Sequence, residues 1–162
     1  MSGVGQLVAQ VMLAAALRWR TLRSAMSEDC IFCKIVAADL PATIVDHDAR
    51  TVAFMDISPA TRGHVLVIPR AHSADLHEID CEDLKAVVAT AQRVAGRVRD
   101  RLGADGVNLL NCSGAGAWQT VFHFHVHVIP RYEADPLRLP WVPAPGDADE
   151  IAAAGAQLVV RP

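Results

Sequence analysis

Polynucleotides and membranes are the first partners excluded by what this chain of 162 residues lacks. It carries 15 Lys and Arg against 18 Asp and Glu, a formal net charge of −3, so no basic field exists to hold a nucleic acid backbone. No run of five like charges and no internal repeat is present. The apolar run Val4 to Leu17 is too short to span a bilayer. Its arginines, Arg18, Arg20 and Arg23, follow the apolar stretch rather than precede it, the reverse of a secretory signal. The cysteines are few, at positions 30, 33, 81 and 112. Without a secretory signal they do not form a disulfide framework and point to a reducing, cytoplasmic setting.

A hydrophobic content of 52% over this length is enough for one globular core, and a second large domain is not expected. A composition break falls near Met26. Residues 1–26 read either as an amphipathic helix or as an upstream stretch preceding a true start at Met26, and the break favours the second. The domain is then expected over residues 27–135. Residues 136–162 form a proline-rich arm, Leu137 to Pro145, and a short helix over Asp147 to Leu158.

Local patterns order the middle of the chain. Cys30 to Ala37 reads as a short helix stopped by Leu40-Pro41, because the residue before proline disfavours helical backbone. Thr43 to Asp46 and Thr51 to Asp56 read as strands, and His64 to Ile68 is a β-branched run closed by Pro69. From Asp80 onward apolar residues recur at helical spacing through Leu84, Val87, Ala91, Val94, Val98 and Leu102. Asp80 suits the start of this helix and Gly103 its end. A strand at Val107 to Asn111 and a small-residue loop at Cys112 to Ala117 follow. Consecutive strands with one long helix inserted predict an α+β fold on an antiparallel sheet of about five strands, with one long and one short helix.

Histidines are concentrated where chemistry is expected. Val121 to Ile129 reads Val-Phe-His-Phe-His-Val-His-Val-Ile, so His123, His125 and His127 alternate with apolar residues. In a strand this puts three imidazoles on one face and Phe122, Phe124, Val126 and Val128 on the other. Same-face neighbours lie roughly 6.5–7 Å apart, so one small phosphate cannot touch all three equally. His125 and His127 suit one reacting centre, and His123 is left for another task. Imidazole titrates nearest neutrality and serves as nucleophile, proton carrier or metal ligand. Separately, Cys30-x2-Cys33 has the spacing of half a zinc site, which two histidines complete.

These blocks together carry a resemblance. His123-Phe124-His125-Val126-His127-Val128-Ile129 with Gln119 before it resembles the signature of the histidine triad (HIT) superfamily of nucleotidyl hydrolases and transferases. Cys30 to Ile35, Ala53 to Pro59 and Gly63 to His72 resemble the other family blocks in order, most closely those of the bacterial Hint-like branch. The resemblance implies cleavage of a nucleoside 5′-phosphoramidate or dinucleoside polyphosphate at the α-phosphate, with His125 forming a covalent nucleotidyl intermediate. By the same resemblance His127 supports the leaving group, Gln119 and Thr120 contact the phosphate or leaving group, and His64 is the family's fourth histidine. Asp56 matches the ribose-binding acid, and Ile31, Phe32, Ile35, Phe54 and Ile57 match the base pocket of a purine nucleotide. Asn111 is the nearest match to a phosphate-side asparagine, one position early, with Cys112 in register. A structural zinc held by Cys30, Cys33, His72 and His123 is implied, as is a homodimer that continues the sheet.

Other readings of the same residues are a metal-dependent hydrolase with all three triad histidines on one ion, and a nucleotide-binding interaction protein with weak catalysis. One departure from the family pattern stands out. Trp118 occupies the position where a glycine commonly precedes the glutamine, with its backbone N–H expected to remain free for phosphate.

Overall fold

The computed structural model describes residues 29–160, so the two readings of residues 1–26 lie outside the described residues. Helix α1 (Ile31–Val36) is followed by β1 (Ile44–His47), β2 (Thr51–Met55) and β3 (Val65–Pro69). The long helix α2 (Cys81–Leu102) leads to β4 (Gly106–Leu110), a single 3₁₀ turn (Ala115–Ala117), β5 (Val126–Arg131) and α3 (Ala148–Leu158). The five strands form one antiparallel sheet in the order β1-β2-β3-β5-β4.

Both faces of the central strands are covered, which explains their continuous apolar runs. Toward α2, Ala53, Val65, Val67, Val126 and Val128 pack with Phe124 against Val87, Ala91, Val94 and Val98. On the opposite face Val52, Phe54, Leu66 and Ile68 pack with Cys30 and Phe32 of the α1 segment. Val67 and Ile68 are wholly buried, and each such side chain contributes on the order of 1.5–3 kcal/mol relative to exposure.

The ends of α2 follow sequence chemistry. The Asp80 carboxylate accepts from the N–H groups of Glu82 and Asp83, and Gly103 closes the helix at φ 67, a conformation that disfavours a Cβ. Replacing Asp80 by alanine is expected to cost about 1 kcal/mol of stability, read as a shift in the urea midpoint without a change in slope.

The histidine strand departs from expectation. It begins at Val126, not Val121, because the backbone ahead of it is engaged elsewhere. Phe124 N–H donates to Ser73 O at 2.6 Å, and the carbonyls of His123 and His125 accept from side chains rather than from a neighbouring strand. The alternation itself persists through Phe124, Val126 and Val128 on the α2 side. Phe122 breaks it: that ring is 46% exposed and lies outside the core.

Candidate active site and metal centre

Three imidazoles at alternate positions in the sequence receive three different environments. His123 is fully buried; its Nε2 donates to Pro69 O at 2.9 Å, which leaves the Nδ1 lone pair facing Cys30 Sγ at 3.4 Å and Cys33 Sγ at 3.5 Å. His125 donates from Nδ1 to the carbonyl of His123 at 2.7 Å. His127 Nδ1 lies 2.9 Å from His64 Nε2. The three side chains therefore do not converge on a common point, and a single catalytic ion held by all three does not fit this geometry.

Cys30, Cys33, His72 and His123 instead bring four donor atoms within 4.8 Å of one another, with Cys33 Sγ 3.3 Å from His72 Nδ1. A tetrahedral zinc bound by two sulfurs and two nitrogens requires sulfur–nitrogen separations of about 3.5 Å. The donor set is soft, closed and nearly buried. The Pro69 carbonyl supplies the outer hydrogen bond that fixes the histidine tautomer for metal ligation. Burial pushes His123 down to about 4, against the pull of its bond to Pro69, so the ring is neutral and its lone pair is available.

A cavity of about 580 Å³ opens beside this centre. Ile31, Phe32 and Ile35 of α1, Phe54 of β2, and Asp56 and Ile57 beyond it line one part; Thr120, His125 and His127 line another. Phe32 stands edge-on to Phe54 and His125, each at a ring separation of 5.4 Å, so one ring braces both the apolar wall and the His125 imidazole. Leu40, Pro41 and Ala42 complete the wall. Sequence reasoning missed these three because Leu40-Pro41 registered only as a helix stop.

Tautomers follow from the hydrogen bonds. His125 has its proton on Nδ1, and its Nε2 has no partner among the described residues. Among the described residues no buried side-chain polar atom lacks a partner, so this Nε2 is reached from the cavity. His64 Nδ1 accepts from Ala60 N–H at 3.1 Å, which puts the His64 proton on Nε2, directed at His127 Nδ1. Neutral His127 consequently carries its own proton on Nε2. Asp56 lies 3.6 Å from His64 Nε2, while its other oxygen accepts from Ser58 N–H at 2.7 Å.

Burial lowers the affinity of these rings for a second proton. It holds His125 below its ordinary value despite the His123 carbonyl, and it lowers His64 against the opposing Asp56 charge. For His127, burial and the neighbouring rings of His125 and His64 bring the value to about 4. An unfolded chain binds a proton at His127 near pH 6.5, whereas the folded chain does so only near 4, so acidification favours unfolding across that window. Stability is therefore expected to fall between pH 6.5 and 4, and His127→Gln to flatten that part of a chemical-denaturation profile; an unaltered slope in the variant refutes the assignment.

Two expected contact residues are placed otherwise. The Gln119 side chain, 4% exposed, donates from Nε2 to Ala74 O and Val121 O and accepts Gly114 N–H at Oε1, so it ties two loops together instead of facing the cavity. Asn111 donates from Nδ2 to His125 O at 2.8 Å and so positions the backbone of His125. Trp118 N–H is not free: it donates to Ala115 O at 3.1 Å.

Comparison with known proteins closes the description of the site. A family model described as HIT domain matches residues 37–134. "Protein hit" of Bacillus subtilis is 44% identical over 106 residues, covering 65% of this chain and 73% of that protein. Adenosine 5′-monophosphoramidase hnt1 of Schizosaccharomyces pombe is 36% identical over 130 residues, covering 80% of this chain and 95% of its own length. A solved HIT family member from Bacillus subtilis matches with a TM-score of 0.71 at 37% identity, covering 83% of this chain and 99% of that one. A zinc-bound histidine triad family protein from Mycobacterium smegmatis matches with a TM-score of 0.67 at 42% identity, covering 82% and 96%.

Proposed function

The chain belongs to the HIT family, and from that premise we propose that it hydrolyses nucleoside 5′-phosphoramidates or dinucleoside polyphosphates at the α-phosphate through a nucleotidyl bond to His125. The carrying observation is the His125 ring itself: proton fixed on Nδ1 by a backbone carbonyl, lone pair on Nε2 open to a cavity with an apolar wall and a carboxylate. A purine base fits between Phe32, Phe54, Ile31 and Ile35, and Asp56 suits the ribose hydroxyls.

In the first step the Nε2 lone pair of His125 forms a bond to phosphorus as the bond from phosphorus to the leaving amine or phosphate breaks. An anionic phosphate in the cavity favours uptake of one proton by the His64–His127 pair, with Asp56 in support. His127 passes that proton from Nε2 to the leaving group. Water then attacks phosphorus, its proton returns to His127, and the nucleoside monophosphate departs with His125 restored. The imidazoles of His123 and His125 remain uncharged at neutral pH because they are buried.

Zinc at Cys30, Cys33, His72 and His123 has a structural role in this reading, since four protein ligands leave no open position. Cys30 and Cys33 are not joined in a disulfide, which suits a cytoplasmic setting. No described helix is long and apolar enough to cross a membrane. A homodimer is also proposed: β4 is a sheet edge bearing exposed Leu109 and Leu110, and pairing it with a second copy covers both the edge and the apolar groups.

The test is to trap the intermediate. Rapid quench of the protein with radiolabelled adenosine 5′-phosphoramidate is expected to give an acid-labile, protein-bound adenylate that is absent in His125→Ala. Turnover without any such adduct sinks the covalent route.

A further inference from the structure

The turn ahead of the histidine strand contains a residue that the proposed reaction leaves without a purpose. Trp118 has φ 71, in the left-handed region that side chains with a Cβ rarely adopt. Its indole is 66% exposed, and among the described residues it has no hydrogen bond and no ring partner. The turn is not loose. Trp118 N–H and Gln119 N–H donate back to Ala115 O and Gly114 O, and the buried Gln119 amide clamps Gly114 to Ala74 and Val121. A backbone outlier retained in a braced turn, with a large unpartnered side chain, is the pattern from which a functional role is inferred.

Position says which role. Thr120, two residues on, lines the cavity with His125 and His127, and two residues of chain span at most about 7 Å. Displacement at phosphorus sends the leaving group away from the attacking nitrogen. His125 lies on the buried floor at 4% exposure, so the leaving group points outward, toward the mouth, where surface groups near Thr120 stand. The walls contributed by Ile31, Phe32 and Phe54 are occupied by the nucleoside in the reading above.

We propose that Trp118 is a specificity-determining residue: its indole forms the outer wall for the leaving group and selects substrates whose leaving group is an amine bearing a planar aryl group. This rests on the hydrolytic reading of the His125 cavity. A face of this size stacks on an aryl group but gains little from ammonia, and an offset aromatic pair corresponds to a rate preference of up to about tenfold.

The test compares two probes, adenosine 5′-phosphoramidate and its N-benzyl amide. The ratio of their kcat/KM values is expected to fall about tenfold in Trp118→Gly, chiefly through KM of the benzyl compound, and to be largely restored in Trp118→Phe. A ratio that does not move in Trp118→Gly overturns the proposal, as does an equal loss on both probes in Trp118→Gly and Trp118→Phe. Binding is measured separately in the Trp19→Phe, Trp141→Phe variant, where Trp118 is the sole tryptophan. The benzyl amide is expected to quench its emission and the unsubstituted amide to leave it nearly unchanged. No quenching overturns the proposal. Quenching in a native protein that turns over neither probe refutes the hydrolytic reading while the aromatic wall stands.

Discussion

His125→Ala is expected to reduce turnover of adenosine 5′-phosphoramidate by about 10⁴-fold or more, since it removes the atom proposed to bond to phosphorus. The fold is expected to survive. His125 touches Phe32 edge-on and bonds to a backbone carbonyl, so its loss leaves a small void beside an open cavity and no stranded buried charge. His127→Gln is expected to behave differently. It removes proton transfer, a loss of roughly 10²–10⁴-fold, and the loss shrinks for substrates whose leaving group needs no proton. Single-turnover kinetics with leaving groups of graded basicity separates the two roles. Equal sensitivity of both variants to leaving-group basicity refutes the division of labour.

Loss of metal from Cys30, Cys33, His72 and His123 is expected to lower the melting temperature by roughly 10–15 °C, or about 3 kcal/mol for a domain of this size. The physical reason lies in α1. A helix of six residues, Ile31–Val36, is far below the length that is stable alone in water. Its fixed points are the core contact of Phe32 and the thiols of Cys30 and Cys33, whose contacts with His72 and His123 reach across 39 to 93 residues of chain and which zinc would lock in place. Because α1 supplies Ile31, Phe32 and Ile35 to the cavity wall, metal removal is expected to raise KM for nucleotide more than it lowers kcat. Elemental analysis should find one zinc per chain, lost in Cys33→Ser together with the thermal stability. A zinc-free protein that melts at the same temperature contradicts the structural role.

Much of the site was legible because its spacing is local. Alternation placed His125 and His127 on the face opposite Val126 and Val128, as the strand shows. The apolar and acidic block from Phe54 to Ile57 lies together at one cavity. The zinc set required one more step, since Cys-x2-Cys supplies only half of it; His72 and His123 were added through the family resemblance, and the four donors do lie together. Gln119 and Asn111 were not legible. An amide that binds phosphate and an amide that braces a loop are the same letter, and only the partners Ala74, Val121, Gly114 and His125 tell them apart.

The sequence by itself determined the period: alternation along extended chain puts Phe124, Val126 and Val128 toward α2 and leaves His125 and His127 to the cavity side. It also determined the ends of α2, because Asp80 and Gly103 act within one helical turn. Tertiary structure alone decided the environment of each imidazole. Each ring's tautomer is set by an acceptor or donor that the chain returns from elsewhere, Pro69 for His123 and His64 for His127, and the loss of charge on all of them comes from burial, which no local pattern records.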